Sequence, residues 1–551
     1  MRGGSAWLET LIESRVSRLP PAQRDLLRVA SVIGNVVPTW LLERLTDCGE
    51  HHPLVRDLAA HDLVFPGDSS ATLRFKHGIT RDVVYGSIGL QGRRQTHRQI
   101  ATLLRERAGV EGEAETCEAL AYHYAGADDF ADAAHYAEMA GDKAVATSSI
   151  DGAKTQYRTA LQMLDRLPVT PERYKSWRSI VRRLGMATVY DPSRGEAEVF
   201  ARAVARAREQ QDGPGLAYAE YWLAYVHYAL GESGAAVEHC EIALKAANDV
   251  GDAKLAAQVK TTLGQALAPA PDYPAAIPLL EDTAPVQGKS APYTRPGPAL
   301  AFSLASKASV IADLGRFDEA QACIDEALSL VPFKGHEVEG SVLCWRSGIN
   351  LWRGHWEAAR ADARAAHRVA ERVKSLYLFA QSRSLGAYAD WKISPNPRAL
   401  REMLDSVSWR QARDKNLFMS LSYGWLSEAM ADEGRSAEAR AFAAQALRRI
   451  RKRDWIGGAM AARAMARMAL AGGDLPAAGR HLRVAQQVAQ ARSSAHEAAG
   501  NELLRAELAL AQGERAFAQD CAHRAGEAFR HMGMHWHLAQ AARLLEAALA
   551  A

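Results

Sequence analysis

Between residues 148 and 513 the chain returns to a turn-forming residue at nearly constant intervals: Ser148, Pro192, Gly231, Pro271, Gly315, Gly354, Ser394, Gly434, Gly473 and Gly513. Successive steps are 44, 39, 40, 44, 39, 40, 40, 39 and 40 residues. A fixed period in this range is the mark of a repeat architecture, in which each unit buries its apolar face only against its neighbours. An alanine stands five residues after every one of these turns and sets the register, from Ala153 through Ala320 and Ala359 to Ala518. Seven residues before each turn the occupants are Gly141, Gly185, Ala224, Gly264, Ala308, Ser347, Ala387, Ser427, Ala466 and Ala506, all small. Twelve residues after it stand Ala160, Val204, Ala243, Thr283, Ala327, Ala366, Ser406, Ala446, Ala485 and Ala525, again without a long side chain.

Small residues at three fixed offsets around a turn are what two antiparallel helices need in order to close on one another, because side-chain volume at the crossing sets the interaxial distance. The turn itself often requires a left-handed residue to end the first helix, which glycine adopts without steric penalty. Gly231, Gly315, Gly354, Gly434, Gly473 and Gly513 fill that role in the register. The sequence therefore predicts about ten helix pairs over 148–551.

These features resemble the tetratricopeptide family, whose helix pairs carry a small residue in the first helix and two alanines in the second. LASKASVIADLGRFDEAQACIDEALSLVP is the clearest copy, with Ala308, Gly315, Phe317, Ala320, Ala327 and the terminating Pro332. The spacing near forty exceeds that family's usual thirty-four and implies longer helices or loops.

Residues 1–108 lie outside the register. They read as helices Trp7–Arg18, Pro21–Ile33, Pro38–Leu45 and Pro53–His61, then strands Asp62–Phe65 and Thr72–Phe75 across the turn PGDSSA, then a long helical stretch. Helices followed by a hairpin suggest a winged-helix-like module, and 109–147 would be connecting helices. The segments RLPPAQRDLLRVASVIG, LVRDLAAHDLVF, RFKHGITRDVVYGSI and RRQTHRQIATLL resemble the winged-helix segment of bacterial signal-transduction ATPases with numerous domains, among them class III adenylate cyclase relatives with tetratricopeptide arrays. The resemblance implies a coupling role inside a signalling protein, with the ATPase or cyclase unit on a preceding segment or another chain.

This chain carries no recognisable engine of its own. A phosphate-binding loop needs two glycines before its Lys and Ser/Thr, and the nearest sequence, Gly288-Lys289-Ser290, has Thr283 where the first glycine belongs. There is no metallohydrolase helix signature and no nucleophile elbow. No cofactor and no catalytic residue is expected. Lys and Arg (67) nearly balance Asp and Glu (64), so no global field draws the chain to nucleic acid or to an anionic membrane. The N-terminal stretch lacks the apolar core of a signal peptide, because Glu9, Glu13 and Arg15 interrupt it, and no apolar run is long enough to span a bilayer. Cys48, Cys117, Cys240, Cys323, Cys344 and Cys521 lie far apart, as expected of buried thiols in a cytoplasmic protein.

The candidate partner surface is YAEYWLAYVHYAL, where Tyr218, Tyr221, Tyr225 and Tyr228 fall on one helix face, with Tyr388 and Trp391 on the matching face of a later unit. Tyrosine offers large contact area and a polar tip at low entropic cost, which suits a groove for a protein or peptide. The same residues could instead fill gaps between repeats. His531 and His535 have the four-residue spacing of ligands on one helix face, with His537 beside them, but Gly533 between them favours a turn, and no metal is assigned. Lys76, His77, Arg81, Arg93 and Arg94 give the front module some positive charge. Two readings stand: an all-α, tetratricopeptide-like interaction module binding a protein or peptide, with an ATPase or cyclase chain as one candidate partner, or a transcription regulator that uses its winged helix on DNA.

Overall fold

The computed structural model describes residues 3–67, 71–189, 191–281, 297–331 and 334–550. The turn residues Asp68–Ser70, the repeat position Thr283, the Gly288-Lys289-Ser290 segment and Pro332 lie outside the described residues. The contacts divide the chain into two compact units, Met1–Tyr190 and Asp191–Ala551. That boundary falls within the second of the ten units marked by the register.

The first unit runs α1 (Gly3–Ser17), α2 (Pro21–Ile33), β1 (Val36–Pro38), α3 (Thr39–Thr46), α4 (Pro53–Ala60), β2 (Val64–Pro66), β3 (Thr72–Phe75), α5 (Gly78–Gly86), α6 (Leu90–Gly126), α7 (Phe130–Ala146), α8 (Ile150–Asp165) and α9 (Pro171–Thr188). Proline at the first position of α2, α4 and α9 starts each helix where a missing N–H costs nothing. The three strands form one antiparallel sheet in the order β1-β3-β2. Sequence reading missed β1, because three residues are too few to show alternation and Val36 is exposed. Leu27, Val37, Leu41, Leu58, Phe75, Val84 and Ile100 make the core beneath the sheet. α6 breaks at Gly109, whose φ is 60°. Its two halves are joined by a buried imidazole pair, with His97 Nδ1 2.9 Å from His123 Nδ1, and the Tyr85 hydroxyl is 3.0 Å from His97 Nε2. Burial, reinforced by Arg81 and Arg93, lowers His97 to about 4. Burial, with His97 and Arg81, lowers His123 to about 3.

The second unit is an all-α solenoid: α10 (Arg194–Glu209), α11 (Gly213–Ala229), α12 (Ser233–Asp249), α13 (Ala253–Leu267), α14 (Tyr273–Glu281), α15 (Gly297–Asp313), α16 (Phe317–Ser329), α17 (Glu337–Arg353), α18 (Trp356–Val373), α19 (Leu376–Ile393), α20 (Pro397–Ala412), α21 (Met419–Asp432), α22 (Ser436–Arg449), α23 (Gly458–Ala471), α24 (Leu475–Ala491), α25 (Ala495–Gln512), α26 (Arg515–His531) and α27 (His535–Ala550). The register turns join α11/α12, α13/α14 and so on to α25/α26. Ala320 and Ala327 are fully buried in the α15/α16 pair, as are their equivalents in most of the other pairs. Where the small residue before the turn is serine, its hydroxyl donates across the crossing to the carbonyl of the alanine five residues after the turn, Ser347 to Ala359 at 2.8 Å and Ser427 to Ala439 at 3.0 Å. That pairing is why serine substitutes for alanine there without leaving a buried polar group unmet.

All six turn glycines have positive φ, between 73° and 86°. They nevertheless fall into two classes. A Cβ on Gly434, Gly473 or Gly513 would meet nothing within 4 Å. One on Gly231 would stand 2.4 Å from the Asn416 carbonyl carbon, one on Gly315 2.8 Å from Ala495 Cβ, and one on Gly354 2.9 Å from His537. The array therefore curls until its early turns touch loops about one superhelical turn later.

Charged groups fasten those contacts. Lys415 Nζ donates to the Pro192 carbonyl at 2.5 Å, and Arg449 donates to the Gly231 carbonyl at 2.9 Å. The Trp455 N–H reaches the Pro269 carbonyl at 2.9 Å. Asp313, wholly buried at the end of α15, accepts from Arg492 (2.7 Å), Tyr273 (2.5 Å) and Ser494 (2.7 Å), and lies 2.8 Å from His496 Nε2. Arg492 donates also to the Ile456 carbonyl at 3.0 Å. Burial alone would raise the Asp313 carboxyl, but Arg492 and His496 outweigh it and hold the group down to about 2.

Candidate functional site

Six successive first helices of the repeat pairs, α17, α19, α21, α23, α25 and α27, with the first residue of α18 and the last turn of α26, wall a cavity of about 510 Å³ within the second unit. Its placement follows from the register. The small residue seven before each turn faces the partner helix, so the next residue, six before the turn and about 100° round the helix, points to the side of that crossing. Tyr388, Glu428, Arg467 and Glu507 occupy that offset in four consecutive pairs, and all four line the cavity.

One wall is aromatic. Trp356 and Trp536 meet edge to face with centroids 5.3 Å apart, and His537 lies between Trp356 and Phe529 at 6.0 and 5.3 Å. Tyr388 stacks on Trp425 at 4.9 Å. The Nε1–H groups of Trp356 and Trp425 are buried and have no acceptor, and neither has the Nδ2 of Asn501. Burial, with Lys392 nearby, lowers His537 to about 3, so this imidazole is neutral.

The other wall is a ladder of ion pairs between neighbouring helices. Lys392 Nζ and the Tyr388 hydroxyl each donate to Glu428 at 2.9 Å. The Lys392 ammonium also lies over the Trp356 and Trp536 rings at 5.5 and 5.1 Å. Burial opposes the Glu428 charge, but Lys392 and Arg467 hold the carboxyl down to about 2. Arg463 pairs with Glu497 and donates to Asn501 Oδ1 at 3.1 Å, and Arg467 stands 3.7 Å from Glu507. Arg543 is exposed at the edge.

Of the residues singled out in the sequence, Tyr388 lines this cavity. Trp391 sits behind it, buried, and hydrogen-bonds Asp432 on the cavity's edge. The four tyrosines of α11 lie elsewhere in the unit. Tyr218 and Tyr221 are half-buried against the cluster that includes Val259 and Leu263, Tyr221 hydrogen-bonds Thr262, and Tyr225 packs edge to face on Trp222 at 5.5 Å. Tyr228 is buried against Leu417. Trp356, Trp425, Trp536, Lys392, Glu428, Arg463 and Arg467 were not picked out from sequence. The signal for Glu428 and Arg467 was the offset of six before the turn, which Tyr225 and Tyr388 share.

His531 and His535 are exposed at the ends of α26 and α27, while His537 turns into the cavity. Among the described residues no group of three His, Cys, Asp or Glu side chains is placed to hold a metal ion, and no helix is long and apolar enough to cross a membrane. The six cysteines are buried and unpaired. In the first unit the positive side chains are engaged internally: Lys76 pairs with Asp62 at 3.0 Å, Arg81 donates to Tyr122 at 2.8 Å, Arg93 caps the Ile88 carbonyl at 2.7 Å, and Arg94 pairs with Asp128.

No protein-family model matches the chain, and no curated protein does. Among solved structures, it is similar to a signal-transduction ATPase with numerous domains and a tetratricopeptide repeat sensor from Pyrococcus horikoshii, at 13% identity over 91% of this chain and 67% of that one, with a TM-score of 0.36. A Rap protein complexed with competence and sporulation factor is 12% identical over 75% of this chain and 97% of that one, with a TM-score of 0.35. The Rap conjugation gene regulator of plasmid pLS20, in complex with the Phr* peptide, is 13% identical over 66% of this chain and 93% of that one, with a TM-score of 0.44. Scores this low carry no functional inference.

Proposed function

We propose that this chain is a non-catalytic regulatory module that captures a peptide or protein partner, with the cavity walled by α17–α27 as its anchoring point. The observation that carries the reading is the cavity itself, with aromatic rings on one side, an ordered ladder of charges on the other, and buried indole donors that lack acceptors. Its volume lies in the usual range for ligand pockets of about 300–1,000 Å³. The half-exposed tyrosines of α11, Tyr218 and Tyr225, supply further contact area along the array in this reading.

The proposal extends to a signalling context, in which the first unit acts as the coupling module of an ATPase or cyclase system. Support comes from the helix, strand, two helices and hairpin of residues 21–75, an order suited to a winged helix. The internal pairing of Lys76, Arg81, Arg93 and Arg94 weighs against direct DNA reading, since each phosphate contact would have to displace an existing partner.

A random-peptide display against the immobilised full chain tests the capture reading, with a Trp356→Phe, Arg463→Gln variant as counter-screen. The expected result is a set of peptides that bind the parent chain and lose at least tenfold in affinity on the variant. A display in which every enriched peptide binds both chains equally would overturn it.

A further inference from the structure

Polar groups around the cavity are unevenly satisfied. Glu428 accepts from both Lys392 and Tyr388, and Glu497 holds Arg463, so those carboxylates are taken. Apart from Glu497 Oε2 and the Nδ1 of His537, which take no hydrogen bond, the groups left over are donors and cations. Trp356, 6% exposed, and Trp425, 1% exposed, each bury an indole N–H that meets no acceptor, and Asn501, 1% exposed, keeps its Nδ2 unmet. Arg467 stands off from Glu507 at 3.7 Å, and Arg543 makes no ion pair among the described residues. An unmet buried donor costs stability unless a ligand supplies the acceptor. The missing complement is therefore an acceptor, and a charged one at the arginine side.

Shape and total charge narrow it further. Trp356, Trp536, Phe529 and His537 pack on one another with centroids 5–6 Å apart, an aromatic lining against which a planar ring can lie in offset or edge-to-face contact. Glu428, Asp432, Glu497 and Glu507 line the same space as Lys392, Arg463, Arg467 and Arg543, so the lining has no excess of cations to hold a dianion such as a phosphate monoester. A monoanion makes the smaller demand.

We infer that the cavity between the tryptophan wall and Arg467/Arg543 recognises an aromatic ring bearing a single carboxylate, with the ring against Trp356 and Trp536 and the carboxylate toward the guanidinium groups. This rests on the capture reading and names the group that anchors the ligand. Two sources share that chemistry, a free aromatic acid and the C-terminal residue of a peptide ending in an aromatic side chain.

Isothermal titration of the full chain at low salt separates them with four probes: indole-3-acetate, the peptide Gly-Ala-Ala-Trp with a free C-terminus, the same peptide as its C-terminal amide, and tryptamine. The expected result is binding of at least one carboxylate probe at least tenfold tighter than the amide and tryptamine, with that margin lost in Arg467→Gln, Arg543→Gln. Indole-3-acetate alone binding assigns a free acid, and the free peptide binding at least as well assigns a chain terminus. Equal or tighter binding of tryptamine or the amide overturns the inference, as does no binding of any probe to 1 mM or a margin that survives the double substitution. If display also yields cavity-dependent peptides, only the anchor assignment has failed; if it yields none, the capture reading fails with it. Circular dichroism of the double variant guards against misfolding, and Arg467→Lys, Arg543→Lys should restore part of the margin because the charge remains.

Discussion

Replacing Asp313 by asparagine keeps the side chain's shape and removes its charge, at a point where the second unit closes on itself. The carboxylate takes Arg492, Tyr273, Ser494 and His496, and those last three residue numbers lie 40, 181 and 183 positions from it. Its position near 2, against an ordinary 3.8, means that the folded structure favours the ionised form by roughly 2 kcal/mol. Leaving the 1%-exposed Arg492 uncompensated sets the upper end, about 3–5 kcal/mol for a broken buried pair. Asparagine can still accept from Arg492 and Tyr273 if its amide nitrogen faces Ser494 and His496, so the expected loss is about 2–4 kcal/mol. Urea unfolding followed by tryptophan fluorescence and far-ultraviolet circular dichroism measures it. Hydrogen exchange should show the earliest loss of protection at the end of α15 and in the α24–α25 loop. A loss under about 1 kcal/mol, or exchange spread evenly over the array, would refute the view that this cluster fastens the closure. The apolar pair Asp313→Leu, Arg492→Met should recover much of the loss, because it removes both buried charges together.

Two further perturbations test other parts of the fold. Gly231→Ala should cost at least about 2 kcal/mol more than Gly434→Ala, since both pay the roughly 1–2 kcal/mol of a left-handed alanine but only Gly231 also presses on the Asn416 backbone; equal melting temperatures would show that the early turns are not packed. In the first unit, His97 and His123 are lowered to about 4 and 3, so the unfolded chain binds protons that the folded one refuses, and stability should fall as pH drops from about 6.5 toward 4. For His97 the full effect is about 3 kcal/mol, and His123→Leu should flatten the slope measured by denaturant titration at successive pH values; an unchanged slope would remove the imidazole pair as its source.

The repeat was legible because its signal is local. Ala308, Gly315, Ala320 and Ala327 are constrained by one helix pair, and a pair is contiguous in sequence. The closure was not legible, because Gly231 and Gly434 are the same residue in the same turn conformation and differ only in what arrives from about 185 residues later. The cavity was half legible. Tyr388 stood out as an aromatic on the right face, whereas Glu428 and Arg467 occupy the same offset and resemble solvated surface charges until the neighbouring helix is present. Trp536 lies in the turn region read as a cluster of histidines, and nothing in its surroundings marks it as a partner for Trp356. The missed strand β1 has a similar cause, since Val36–Pro38 becomes a strand only by pairing with β3.

The cross-ties of the second unit bear on how such a chain can change over evolutionary time. In an open stack of repeats, a duplicated or lost unit alters length and little else, because each unit answers only to the next. Here Lys415, Arg449 and Arg492 reach partners 223, 218 and 179 residues back. Gain or loss of one forty-residue unit between such partners would put every later tie one unit out of step at once. The count of units between Pro192 and Arg492 is thus held like the number of links in a closed chain, and variation there should arrive as substitutions and loop insertions, with whole repeats neither gained nor lost.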